Sequence, residues 1–149
     1  MRHQIELVTR AIKVDSKLIT PDNLQNLPAT PGAYVLILRL DRPIDALTRQ
    51  APDCRILPGW YFYAGSARGR GGVRARVMRH FRRDKSVHWH IDRLSLAAEE
   101  LAAVAVDGGV ECDLVSRLLR SGRYRAAVSG FGNTDCRSCD THLLTSAGD

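Results

Sequence analysis

Three groups of residues in this chain have the types and spacing to do chemistry. The first is a run of cations, Arg68, Arg70, Arg74, Arg76, Arg79, Arg82, Arg83 and Lys85, packed into one short segment. Arginine outnumbers lysine there, and the planar guanidinium suits two-pronged contact with phosphate. Within the run Arg76 and His80 are four residues apart, so on a helix they form one row and point the same way. The second group is Cys136-x2-Cys139-x2-His142. Cys-x2-Cys is a usual half-site for tetrahedral zinc, and His142, or one of His88 and His90, would complete it. The alternative is reduced free thiols. Cys112 stands elsewhere, beside Glu111. The third group is His88-Trp89-His90, whose indole either stacks on a nucleic-acid base or belongs to the core.

The elements that must position these residues are partly readable. Residues 4–14 fit either a strand or a short helix, and the pattern does not choose. Thr20-Pro21 has the form of a helix start, with Thr as cap, and Pro28 ends that helix. Pro31-Gly32 signals a turn, and residues 33–40 read as a buried strand. Residues 41–58 hold three of the six prolines and read as a long loop. Trp60 to Gly65 is aromatic and strand-like. A loop from Ser66 to Gly72 leads into a helix in which Val73, Val77 and Phe81 form an apolar stripe. A short helix or turn is expected over 88–94, a strand over 101–106, a helix over 110–119 and a last strand over 141–145.

Composition narrows the class. The 149 residues suit one domain, and 44% hydrophobic with 26% charged residues argues against disorder. No apolar run approaches the roughly 20 residues of a membrane span. The N-terminal residues have no signal-peptide core, so a cytoplasmic location is expected. The formal charge of +6 and the pI near 9.5 favour polyanionic partners, nucleic acid first among them.

Taken in order, Gly32-Ala33-Tyr34, Tyr63-Ala64-Gly65 and the segment Val73 to Phe81 resemble the GIY-YIG nuclease superfamily. That group includes homing endonucleases, some restriction enzymes and the incision nuclease of bacterial excision repair. His88-Trp89-His90-Ile91-Asp92 and Gly130-Phe131-Gly132-Asn133-Thr134-Asp135-Cys136 resemble an uncharacterised branch in which the domain stands alone or is fused to a DNA-repair glycosylase. The resemblance covers about residues 30 to 145, which leaves 1–29 as an N-terminal extension of a single domain. It implies an α+β fold, with a small, mainly antiparallel sheet of about three core strands flanked by helices.

The same resemblance implies a metal-dependent endonuclease acting on DNA, with RNA left open, in repair or recombination. Glu111 would hold one Mg²⁺ or Mn²⁺, since hard cations take oxygen ligands. Arg76 would hold the scissile phosphate. Tyr34, Tyr63 and His80 would handle protons and positioning. A tyrosine takes a proton near neutrality only if cations depress its pKa of about 10, and Arg76 and the metal are the available perturbers. Arg68, Arg70, Arg74, Arg79, Arg83, His88, Trp89 and His90 would line the nucleic-acid path. Departures are visible too. Ala33 and Ala64 replace isoleucines, a change of packing. Ser66 stands where many relatives carry lysine, and Asn133 is only a weak match for the family's late asparagine. The competing expectation is a binding module that grips nucleic acid, with structural zinc, without cutting it.

Overall fold

The computed structural model describes residues 1–13, 18–19 and 21–148. Its centre is the strand predicted from the apolar run, β2 (Gly32–Leu40), in which eight of nine residues are buried. A strand with no polar face must be covered on both sides. Alternation divides its side chains. Tyr34, Leu36, Leu38 and Leu40 enter one core, and Ala33, Val35 and Ile37 enter the other.

Eight strands occur among the described residues: β1 (Leu18–Ile19), β2, β3 (Ile44–Asp45), β4 (Arg55–Ile56), β5 (Gly59–Ala67), β6 (Glu100–Asp107), β7 (Tyr124–Ala126) and β8 (Leu143–Ser146). Six form one sheet in the order β1-β6-β2-β5-β8-β7, and every pairing is antiparallel. The expected core of about three strands corresponds to β6, β2 and β5. β1, β7 and β8 widen it. β3 and β4 make a separate two-stranded ribbon inside the segment expected to be loop, and β7 is a strand where none was expected.

Among the described residues four α-helices cover the faces: α1 (Arg2–Ile12), α2 (Gly72–Phe81), α3 (His90–Ala97) and α4 (Glu111–Arg120). Val73 and Val77 of α2 and Ile91 and Leu94 of α3 pack on the Tyr34 face. Ile5, Val8 and Ile12 of α1 and Leu114, Val115 and Leu118 of α4 pack on the other. Each such side chain contributes about 1.5–3 kcal/mol when fully buried. The open choice at residues 4–14 resolves as helix. The N-terminal extension is a packed part of the body: α1 lies against α4, and the Arg117 guanidinium donates to the Ile12 carbonyl at 2.6 Å. The expected start at Pro21 is a 3₁₀ helix, Pro21–Asn26, and its cap Thr20 lies outside the described residues.

Two local features set the cleft. The first N–H groups of α2 are taken by the chain before β2, with Val73 donating to the Thr30 carbonyl at 3.1 Å and Arg74 to that of Pro28 at 2.9 Å. This docks α2 beside the start of β2. Across the sheet Gly32 is paired with both Ala67 and Asp107. The start of β2, the end of β5 and the end of β6, with α4 just beyond, therefore meet at one end of the molecule. Among the described residues no helix is long and apolar enough to cross a membrane.

Candidate active site

At that end lies a cleft of about 460 Å³. Tyr34, Tyr63, Arg76, His80 and Glu111 all line it, so the five residues singled out from the sequence share one concavity.

Register places the tyrosines. Leu36 is opposite Tyr63 and Tyr34 is opposite Gly65, so both phenols project from the same face of the sheet. Gly65 is needed because the Tyr34 ring crosses directly over it. A Cβ there would overlap the phenol hydroxyl. Gly132 does the same for Tyr63: it sits at φ +72°, and a Cβ would press on the ring at 2.5 Å. Phe131 beside it is fully buried and meets Tyr63 edge-on, with centroids 6.2 Å apart. The Gly-Phe-Gly segment thus walls the cleft around Tyr63. Ala33 and Ala64 lie fully buried in the opposite core, away from the cleft.

The Arg76–His80 row predicted on α2 forms. The Tyr34 hydroxyl and His80 Nε2 are 2.7 Å apart in a buried hydrogen bond. His80 Nδ1 is buried with no hydrogen-bond partner among the described residues. Burial, reinforced by the cations of Lys85, Arg76 and Arg79 and opposed by Asp92, lowers His80 to about 3. Lys85 donates to the His80 carbonyl at 2.6 Å and to Ser95 Oγ at 2.7 Å, and burial pushes its ammonium down to about 8. The tyrosines move the other way from the sequence expectation. Burial raises Tyr34 well above 10.0, and it raises Tyr63 to about 12. Arg76 pulls both down, as anticipated, and burial outweighs it. In the free protein both are neutral phenols.

Neutral His80 has a consequence for stability. The unfolded chain takes a proton below the ordinary value of 6.5, and the folded chain refuses it until about 3. Stability from this group is therefore complete above that window and falls as pH drops through it, by at most about 1.4 kcal/mol per pH unit. Urea unfolding at ~pH 7.5 and ~pH 5.5 should show the loss. His80→Gln should shrink the difference. An equal difference in the variant would contradict a neutral His80.

The Arg76 guanidinium forms no ion pair among the described residues. It rests over the Trp89 ring, 4.4 Å from its centroid. Trp89 is 43% exposed, which removes it from the core. Asp92 holds this stretch in place. Its fully buried carboxylate accepts the backbone N–H groups of His88 at 2.9 Å and Trp89 at 3.0 Å, closing the first turn of α3. It also takes both prongs of Arg79, at 2.7 and 3.0 Å. His88, Trp89 and His90 consequently line the cleft.

Three of the predicted nucleic-acid arginines are engaged by the protein itself. Arg79 is paired with Asp92. Arg74 donates to the carbonyls of Leu27 and Gln25. Arg83 donates to those of Leu96 and Ala98, at the end of α3. The sequence displayed their charge but not these destinations. Arg68 and Arg70 remain exposed. Asn133, the weak match, donates to the carbonyls of Cys139 and Asp140 and shapes its own loop.

Glu111 opens α4 with its side chain 19% exposed. Its Oε2 is buried and accepts no hydrogen bond, and Arg68 lies 4.0 Å away, beyond hydrogen-bonding reach. A carboxylate oxygen that accepts no hydrogen bond among the described residues and has Arg68 only as a distant ion-pair partner, on a residue that lines a polar cleft, fits a hard cation that brings its own waters.

The cysteine segment yields a residue that spacing alone did not assign. Cys112, Cys136, Cys139 and His142 bring their ligand atoms within 4.8 Å of one another, a Cys3His cluster able to hold a metal ion. Cys112 is the next residue after Glu111 on α4. The only hint of it in the sequence was that adjacency, and the alternatives His88 and His90 are not in the cluster. His142 and Cys136 also line the cleft.

A family model described as "Domain of unknown function DUF123" matches residues 33–148. No curated protein and no solved structure matches the chain.

Proposed function

This chain belongs to the DUF123 family, and we propose that its cleft is a GIY-YIG-type site for hydrolysing phosphodiester bonds in DNA. One observation carries the reading. Arg76 and Glu111, 111 − 76 = 35 positions apart, line one cleft with Tyr34, Tyr63 and His80, and neither is consumed by an internal hydrogen bond. Binding alone does not require that combination.

Each side chain has a task the chemistry needs. The Arg76 fork, braced by Trp89, meets the scissile phosphate and the negative charge that grows on it. Glu111 is the residue that would hold Mg²⁺ or Mn²⁺, and that ion would supply Lewis-acid polarisation of a phosphate oxygen. Tyr34 receives the proton of the attacking water while passing its own to His80 Nε2, with the other ring proton on Nδ1. Free His80 is too weak a base for this. Of the cations that lower it, Arg76 is the one free to meet a phosphodiester, so substrate binding would relieve that part of the lowering and move His80 toward accepting a proton. Tyr63 donates a hydrogen bond as a neutral phenol.

A second reading, a non-catalytic nucleic-acid module, is favoured by one observation: burial holds both tyrosines and His80 neutral, so the free site has no ready base. Incubation with nicked, branched and single-stranded DNA plus Mg²⁺ or Mn²⁺ separates the two. Metal-dependent cleavage supports the hydrolase. Binding without cleavage supports the module.

Both readings make a prediction about salt. Of the arginines expected to meet nucleic acid, Arg68, Arg70 and Arg76 are not engaged by internal hydrogen bonds among the described residues, so log Kobs against log salt should have a slope between about −2 and about −3 if these make the phosphate contacts. Arg70→Ala should flatten it by about one. Arg74→Ala should leave it unchanged, since that guanidinium serves backbone carbonyls. A flat dependence in the parent protein would favour a protein partner over nucleic acid.

A further inference from the structure

We propose that Cys112, Cys136, Cys139 and His142 form a structural zinc centre that fastens the first turn of α4, and with it Glu111, to the loop walling the cleft. The metal assignment is independent of the hydrolase reading, while the consequence for Glu111 rests on it.

The geometry is that of a site gathered from separate parts of the fold. One ligand comes from a helix, two from an exposed loop, and one from the approach to β8. Cys112 Sγ lies 3.2 Å from Cys136 Sγ and 3.9 Å from His142 Nε2. Around tetrahedral zinc, with bonds of about 2.3 Å to sulfur, ligand atoms stand roughly 3.5–3.8 Å apart. The observed separations straddle that distance. His142 is held rigidly: its N–H donates to the Phe131 carbonyl at 2.8 Å, its carbonyl accepts from Ala64 at 3.0 Å, and the residue is buried. Ser138 Oγ contacts both loop sulfurs, at 3.4 Å from Cys136 and 3.9 Å from Cys139. Four protein ligands leave no open position, which marks the centre as structural.

The loop needs such a fastener. Between Asn133 and Asp140 no residue is fully buried, and the loop's apolar contact with the core is the partly buried Cys139, itself one of the ligands. Glu111 and Cys112 share the first turn of α4, so a bond to residue 112 fixes the helix end from which Glu111 projects. Zinc binding displaces the thiol protons, leaving three thiolates and a neutral imidazole on the ion.

The test uses the full chain, purified without chelator. Elemental analysis should find one zinc per chain, and exchange with Co²⁺ should give thiolate-to-cobalt charge-transfer absorption. Alkylation should spare Cys112, Cys136 and Cys139 until a chelator is added, while Cys54 reacts alike in both conditions. Cys112→Ser should weaken Co²⁺ binding at least 10-fold, and Cys54→Ser should not. Zinc removal should speed amide exchange in the first turn of α4. Absence of stoichiometric zinc, alkylation indifferent to chelator, a Cys112–Cys136 disulfide in protein kept reduced, or unchanged Co²⁺ affinity in Cys112→Ser would overturn the centre. Faster exchange confined to the loop would overturn its hold on Glu111. None of these readings depends on whether DNA is cut.

Discussion

Arg76→Ala should lower kcat/KM for the proposed DNA cleavage about a thousandfold and leave the fold intact. Removing one preorganised donor to a charge that grows in the transition state costs about 10²–10³ in rate, and a guanidinium supplies two donors with full charge. The loss, roughly 4 kcal/mol, should fall mainly on kcat, because phosphate charge concentrates at the transition state. Stability should change far less. Arg76 has no carboxylate partner among the described residues, and its contact with Trp89 is worth about 0.5–1 kcal/mol. Arg76→Lys keeps the charge but loses the planar fork, so it should restore only part of the activity. Single-turnover kinetics together with thermal unfolding checks both halves. A variant that cuts at the parental rate would remove Arg76 from the chemistry.

Asp92→Ala should give the largest loss of stability, about 3–5 kcal/mol, or a fall of roughly 10 °C in melting temperature. The carboxylate is fully buried and serves three partners at once: the Arg79 fork and the N–H groups of His88 and Trp89. Its deletion leaves the Arg79 guanidinium, 23% exposed, and two backbone N–H groups without their acceptor. Burial resists ionisation of Asp92, yet the Arg79 fork and the two N–H donors outweigh it and hold the pKa below the ordinary 3.8. The contribution is thus present above the usual carboxylate range and is lost as pH falls through the lowered value. Because Asp92 sets the turn carrying Trp89, the variant should also bind DNA more weakly. Chemical denaturation of the two proteins is the check. A difference below about 1 kcal/mol would mean that the network relaxes without Asp92.

The sequence was most legible where one pattern has one physical solution. The continuous apolar run of β2 required a central strand, and the Val73–Val77 stripe required a helix that turns Arg76 and His80 the same way. Gly65 and Gly132 stood in the sequence only as members of the resembling motifs, and the fold shows that they make room for the rings of Tyr34 and Tyr63. What stayed hidden depends on long-range partners. A run of arginines looks uniform until Arg74 and Arg83 are seen on carbonyls and Arg79 on Asp92. Cys112 looks incidental until α4 brings it to Cys136. The pKa expectation for Tyr34 and Tyr63 weighed the attraction of Arg76, whereas burial, which no spacing reveals, decides their state. β7 and the β3–β4 ribbon are only two or three residues long per strand, too short to show alternation.

The carboxylate of residue 111 serves either the chemistry of the cleft or merely the end of a helix. Glu111→Gln keeps the side chain's size and removes its charge. Binding and single-turnover cleavage of one branched DNA, measured in the same Mg²⁺-containing samples for parent and variant, distinguish the two. The prediction is parental cleavage, near-parental binding by the variant, and a rate at least about a hundredfold lower. Equal rates in the two proteins, or a parent that binds and never cuts, would contradict it.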